Sequence, residues 1–203
     1  SQIGIDLNLD NFLTDSNGDT VANPRYYRRI KSKLASAQRT LSRRSRRAKQ
    51  EHRPLHQAKH YQEQRLIVAK QARKVANQRK DFLHVASTTL VKNHDLVVAE
   101  ELRSKHLLKN HALALSISDV GWGRFLDMMT YKASLYGKKF VTVDPKHTTQ
   151  TCHTCGFVMG TAGTHKLTLA QRQWDCPQCG QHHIRDHNAA QNILARGITK
   201  LAE

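Results

Sequence analysis

The four cysteines carry the plainest chemistry in the sequence. Cys152-His153-Thr154-Cys155 and Cys176-Pro177-Gln178-Cys179 are separated by 20 residues, a C-x2-C-x20-C-x2-C pattern. Two residues between thiolates let one tight turn aim both sulfurs at one ion. Two such turns complete a tetrahedral Zn2+ shell at about 2.3 Å per sulfur. Gly156 and Gly180 follow the pairs, where a knuckle crowds the backbone. Thiolates take all four positions and leave none open, so the expected role is structural, and the metal would fold a segment with little core. A redox CxxC pair and an iron–sulfur cluster are the rival readings. Nothing suggests secretion, which disfavours disulfides. His153, His165, His182, His183 and His187 flank the segment. With four cysteines available, they read as surface or nucleic-acid contacts.

Three carboxylates stand out by context. Asp6 sits mid-strand, on the opposite side from Ile3, Ile5 and Leu7. Glu100 ends the most apolar strand, and Asp186 opens the last helix. Acids so placed can converge on one point and bind Mg2+ or Mn2+, hard cations that prefer oxygen ligands. Two such ions about 4 Å apart activate water and stabilise the leaving oxygen of a phosphodiester. The plain alternatives are solvated aspartates and an Asp186 that only complements a helix dipole.

The elements that must position these groups follow from periodicity and punctuation. Residues 2–22 read as a short antiparallel meander, with Ile3, Ile5 and Leu7 alternating and a turn at Ser16-Asn17-Gly18-Asp19. Asn23 is the expected N-cap of a long helix, with Pro24 at its first position, running to about Lys49. Its apolar stripe is Ile30, Leu34, Ala37 and Leu41. Arg53-Pro54 breaks the pattern, and a second helix is expected from about Leu55 to Lys92, with Val68, Ala72, Val75, Phe82, Ala86 and Leu90 on one face. Two long adjacent helices joined by a short turn predict an antiparallel hairpin.

Leu96-Val97-Val98-Ala99 fits a strand buried on both faces. Residues 103–116 suit a loop or short helix. Ser118 and Asp119 are expected to cap a helix containing Trp122, Phe125, Leu126, Met129 and Leu135, ending near Gly137. Residues 139–144 form another strand, stopped by Pro145. His187 to Leu201 reads as the final helix, with Ala190, Ile193, Leu194 and Ile198 on one face.

The chain has 203 residues, 38% hydrophobic and 24% charged, with 33 basic and 16 acidic residues and a net charge of +17. Residues 25–80 hold 19 of the basic residues against two acids, Glu51 and Glu63, so the whole excess lies there. Such a block predicts a polyanionic partner, with nucleic acid ahead of an anionic membrane surface. Few aromatics interleave with it, only Tyr26, Tyr27 and Tyr61, so phosphate contact outweighs base stacking. The plain alternative is a solvated helical face. No apolar run approaches the ~18 residues of a membrane span, and no signal peptide opens the chain; the expected location is the cytoplasm.

The element order is three strands, two helices, strand, helix, strand, ribbon, helix. It is a ribonuclease H-like order with an inserted helical hairpin. The joints are Gly4-Ile5-Asp6-Leu7-Asn8, Asn77-Gln78-Arg79-Lys80-Asp81-Phe82-Leu83-His84 and Val97-Val98-Ala99-Glu100-Glu101-Leu102. They continue with 116–123, Val143-Asp144-Pro145, the CxxC pairs and Arg185-Asp186-His187-Asn188-Ala189-Ala190-Gln191-Asn192-Ile193. In this order, from residue 3 to about 194, they resemble the TnpB (OrfB) family of transposon-encoded proteins, related to compact type V CRISPR effector nucleases.

The resemblance implies an α/β fold: a ribonuclease H-like (RuvC) mixed sheet with an inserted basic helical hairpin and a small zinc ribbon. The RuvC-like core would cover 1–146, interrupted by the hairpin at about 24–92. The zinc ribbon would cover 147–183, and 184–203 would return as the final core helix. It implies an RNA-guided DNA endonuclease with catalytic acids Asp6, Glu100 and Asp186. Glu101 competes in the second motif. Guide RNA and target DNA are the implied partners, contacted by Arg28, Arg39, Arg43, Arg44, Arg46, Arg47, Lys74 and Arg79, with Arg185 near the scissile phosphate.

Two features depart from the family. Ile184 stands where a carboxylate usually precedes the third acid. Members also carry an N-terminal half that recognises guide RNA and flanking DNA, which implies a fragment, a split half or a reduced member. The competing function is a nuclease-inactive RNA-guided DNA-binding protein or repressor, which has no need for three acids.

Overall fold

The computed structural model describes residues 1–102 and 111–203. They form two compact units. One joins Ser1–Pro24 to Leu83–Glu203, and the other is Arg25–Phe82.

The first unit is built on a five-stranded mixed sheet of order β3-β2-β1-β4-β5. Its strands are β1 (Gln2–Asp6), β2 (Asn11–Asp15), β3 (Thr20–Ala22), β4 (Leu96–Glu100) and β5 (Lys139–Val143). The first three form the expected antiparallel meander, with Gly18 at φ 94° in its turn. β4 lies parallel to both β1 and β5. Leu96 to Ala99 are all buried, as a strand covered on both faces requires. The chain is therefore an α/β protein with a mixed sheet.

Gly4 and Gly197 show how closely the last helix, Arg185–Ala202, lies on this sheet. A Cβ on Gly4 would strike the Ala190 carbonyl, and one on Gly197 would strike the Val98 side chain. Leu96, Val98, Val143 and Ile193 form the core beneath that helix. Side chains alternate along a strand, so Asp6 shares the face of Gly4, and Glu100 shares the face of Val98. Elsewhere in the unit Phe12 meets Phe125 edge-on at 4.9 Å, and the Trp122 indole donates to the Phe12 carbonyl at 3.3 Å.

Several boundaries differ from expectation. Arg25, not Asn23, holds the N-cap position of α1 (Tyr26–Gln50), and its φ of 50° turns the chain; the Asn23 amide donates to the Leu9 carbonyl. Helix α2 is Lys59–Asn93 and starts four residues late, because residues 51–58 form the turn. Ala72 is exposed, while Leu83 and Val91 are fully buried. Of the ambiguous segment, 103–110 lies outside the described residues. Ser118 and Asp119 lie inside α3 (His111–Val120) rather than at a helix start, and Gly121 at φ 74° holds the N-cap position of α4 (Trp122–Leu135). The final helix, α5, opens at Arg185 rather than His187. Ile198 is exposed, because Gly197 takes the place against the sheet.

The second unit holds α1 and most of α2. Leu34, Ala37, Ala48, Ala58 and Val75 are buried there. Gln64 donates to the Ala37 carbonyl at 3.0 Å, Arg44 to the His60 carbonyl at 2.6 Å, and Tyr26 meets Phe82. These pairings run in opposite directions along the two helices, so the hairpin is antiparallel as expected. Among the described residues no helix is long and apolar enough to cross a membrane.

Candidate metal centres and nucleic-acid interface

The β1–β4 register pairs Ile5 with Ala99, which brings Asp6 and Glu100 to the C-terminal ends of two adjacent parallel strands. Open α/β sheets bind ligands at such ends. The first turn of α5, seated over those strands, supplies Asp186. Asp6 is only 6% exposed. Burial first, then the charges of Glu100 and Asp186, push its carboxyl up to about 8, while a 3.4 Å hydrogen bond from Asn8 opposes them. Burial also raises Glu100, against a hydrogen bond from the Thr148 hydroxyl and the charge of Arg196.

The charges of Glu100 and Asp186 thus both reach Asp6. The three acids stand wider than the cysteines, which among the described residues are the one group of three or more potential metal ligands whose atoms all lie within 4.8 Å of one another. The oxygen-only donor set suits Mg2+ or Mn2+. A divalent cation would offset both the burial and the neighbouring charges that raise the Asp6 carboxyl.

Two arginines lie near Asp186: Arg185, expected at the scissile phosphate, and Arg172, which the sequence does not mark. Arg185 is buried, and its guanidinium donates to the carbonyls of Thr168 and Leu169 at 3.2 Å each. Arg172 pairs with Asp10 and lies 4.0 Å from the Asp186 carboxylate. Its backbone carbonyl accepts the Arg185 N–H. Among 33 basic residues nothing local marks it, since the β6–β7 pairing beside it and its pair with Asp10 bring it to Asp186. Ile184, at the departure from the motif, is exposed.

The cysteines close a second centre. Strands β6 (Gln173–Asp175) and β7 (His182–Ile184) pair antiparallel, and Thr151 bridges Val158. Gly156 and Gly180 adopt φ 79° and 72°. Their N–H groups donate to the Cys152 and Cys176 carbonyls, which closes each knuckle. The sulfurs of Cys152 and Cys179 are 3.7 Å apart, and those of Cys155 and Cys176 are 3.6 Å apart. A zinc tetrahedron with bonds of about 2.3 Å has edges of about 3.8 Å, so the four cysteines fit the ion. Burial opposes ionisation of Cys176, yet N–H groups of Cys179 and Gln178 prevail and bring it down to about 7.

Cys152, Leu167, Trp174 and Cys176 make a small core of their own. His183 is buried in it. Its Nε2 lies 3.0 Å from the Cys152 sulfur, and its ring stacks on Trp174 at 4.7 Å. It is therefore a partner of the ligand shell, neither a surface nor a nucleic-acid contact.

On the hairpin, Arg28, Arg39, Arg43, Arg46, Arg47 and Lys74 are exposed, and Arg79 is half-buried. Arg44 is half-buried through its bond to the opposite helix, and Arg47 pairs with Glu51 at 2.9 Å.

The fold and its two centres define a class: a mixed-sheet α/β protein with carboxylates at its strand ends, a four-cysteine ribbon and a basic helical hairpin. A family model described as "Probable transposase" (OrfB_IS605) matches residues 1–111, and one described as "Cas12f1-like, TNB domain" matches 122–193. The chain belongs to the OrfB (TnpB) family of transposon-encoded proteins.

Relatives include a "Putative RNA-guided DNA endonuclease" of Streptomyces pristinaespiralis, 38% identical over 98% of this chain and 46% of its own. The "Putative RNA-guided DNA endonuclease InsQ" of Escherichia coli K12 is 30% identical over 100% of this chain and 50% of its own. The chain thus spans about half the length of these relatives. A solved Cas12f1–sgRNA–target DNA complex shares the fold with a TM-score of 0.62 at 16% identity, over 95% of this chain and 49% of its own.

Proposed function

We propose that this chain is the ribonuclease H-like (RuvC) nuclease part, with its zinc ribbon, of a transposon-linked RNA-guided DNA endonuclease. One observation carries this reading: Asp6, Glu100 and Asp186 come from two parallel strand ends and a helix start, and the charges of the other two both act on Asp6. Asp6 and Glu100, on rigid strands, would hold divalent cations together with Asp186. Bound there, two Mg2+ or Mn2+ ions supply an activated water and neutralise the leaving oxygen. Arg172 places a cation beside Asp186, where it can meet a phosphate oxygen. The exposed arginines of the hairpin would grip the backbone of guide RNA or of its heteroduplex with target DNA. That contact reads shape, while base pairing reads sequence. The names of the relatives support both partners.

The test uses the full-length protein with its guide RNA. Asp6→Ala, Glu100→Ala or Asp186→Ala is expected to lower DNA cleavage at least a hundredfold and to leave target binding within about threefold, since only transition-state stabilisation is lost. Cleavage retained by Asp186→Ala would overturn the assignment. A nuclease-inactive repressor predicts no cleavage by the unaltered protein either.

A further inference from the structure

The four-cysteine centre and the carboxylate cluster are joined by a short run of buried polar contacts. Thr148 is 2% exposed. Its hydroxyl donates to the Glu100 carboxylate and lies 3.2 Å from the Pro145 carbonyl. The Thr148 carbonyl accepts from the Asn192 amide at 2.9 Å. That amide also donates to the Thr151 carbonyl at 2.7 Å, as does the Asn188 amide at 2.8 Å. The Asn188 side-chain oxygen accepts the His153 N–H at 2.9 Å. Asn188 therefore uses both ends of its amide, which fixes its orientation.

Cys152 lies between Thr151 and His153, so both of its chain neighbours are tied to α5. Its sulfur is 3.0 Å from His183, three residues before Asp186. One zinc ligand is thus fastened to the segment carrying Asp186, and four residues upstream Thr148 holds Glu100.

Docking of the ribbon explains the two asparagines alone, but not a hydroxyl spent on a carboxylate of the cluster. Groups that hydrogen-bond metal ligands from behind typically change metal affinity by about 10- to 100-fold. We propose that Thr148, Asn188 and Asn192 are positioning residues that couple the two centres. The divalent-cation affinity of the Asp6–Glu100–Asp186 cluster then depends on zinc at the four cysteines. This rests on the metal assignments of the proposed function.

The test is titration of the 203-residue chain with Mn2+, read by electron paramagnetic resonance, with zinc content and circular dichroism measured alongside. Removing zinc is expected to weaken Mn2+ binding about tenfold. Thr148→Val, with zinc retained, should weaken it as much, and Thr148→Ser should restore it to within about twofold, because serine keeps the hydroxyl. In Asn188→Ala/Asn192→Ala, Mn2+ binding should already be weak and zinc removal should add nothing further.

Additive effects, or unchanged binding in Thr148→Val, would overturn the coupling. Should the double variant lose its zinc or its fold, the Thr148→Val and Thr148→Ser pair decides alone. Glu100→Gln separates the two levels of argument. If it leaves Mn2+ binding intact, the carboxylate assignment itself fails. If it abolishes binding while zinc removal changes nothing, only the coupling fails.

Discussion

Asp6 has almost no solvent and two like charges near it, which together push its carboxyl from 3.8 to about 8. A group whose folded-state pKa is raised stabilises the fold fully below its unfolded value, and that contribution is lost as pH rises through the folded one. The metal-free chain should therefore lose thermal stability between about pH 4 and pH 8. Asp6→Asn, which cannot ionise, should flatten this part of the profile, and Mn2+ should reverse the loss at pH 8. A melting temperature of the metal-free chain that rises over the same range would refute the account. Asp6 was legible in the sequence because a charged residue inside an apolar β pattern has a cost that needs a reason. Arg172 was not legible, because its position beside Asp186 comes from β6–β7 pairing and a pair with Asp10, which no spacing encodes.

Helix α5 presents Asp186 in its first turn, Asn188 and Asn192 to the ribbon, and Gly197 to the sheet. Its seat depends on the two glycines at which a Cβ has no room. Gly4→Ala drives a methyl into the Ala190 carbonyl, a backbone atom that cannot move aside. The expected cost is about 1–3 kcal/mol, the range for overpacking a close contact, read as a lower denaturant midpoint. Weaker Mn2+ binding should accompany it, as Asp186 is displaced from Asp6. An unchanged midpoint would mean that the helix does not depend on this contact. The periodicity of α5 is readable, but the helix starts two residues before the first one that the pattern marks, and Ile198 faces solvent. A pattern built on apolar residues passes over a glycine that packs because it is small.

Across the whole molecule, a basic hairpin of residues 25–80 accounts for the entire +17, and the remainder of the chain is neutral. If the hairpin holds a nucleic-acid backbone, binding should weaken linearly in log–log terms with salt. Each phosphate contact contributes a slope of about −0.9 on duplex DNA. Replacing exposed Arg39, Arg43 and Arg46 with Gln should lower the slope by about three and reduce affinity without changing sequence preference. A salt titration by fluorescence anisotropy checks this. A slope that does not respond to the three substitutions would remove the hairpin from the interface.

The sequence alone determined most of the element types, the cysteine knuckles and the charge division, and it marked Asp6, Glu100 and Asp186 as candidates. All of these depend on local periodicity or short spacing, where residue type and neighbour suffice. Only the tertiary structure decided that β4 lies beside β1 with Asp6 and Glu100 at adjacent ends, and that Arg185 turns to backbone carbonyls while Arg172 reaches Asp186. It also decided that Thr148 and two asparagines run from one centre to the other. These contacts join residues far apart in the chain, whose pairing is set by packing and strand register rather than by any pattern within a single segment.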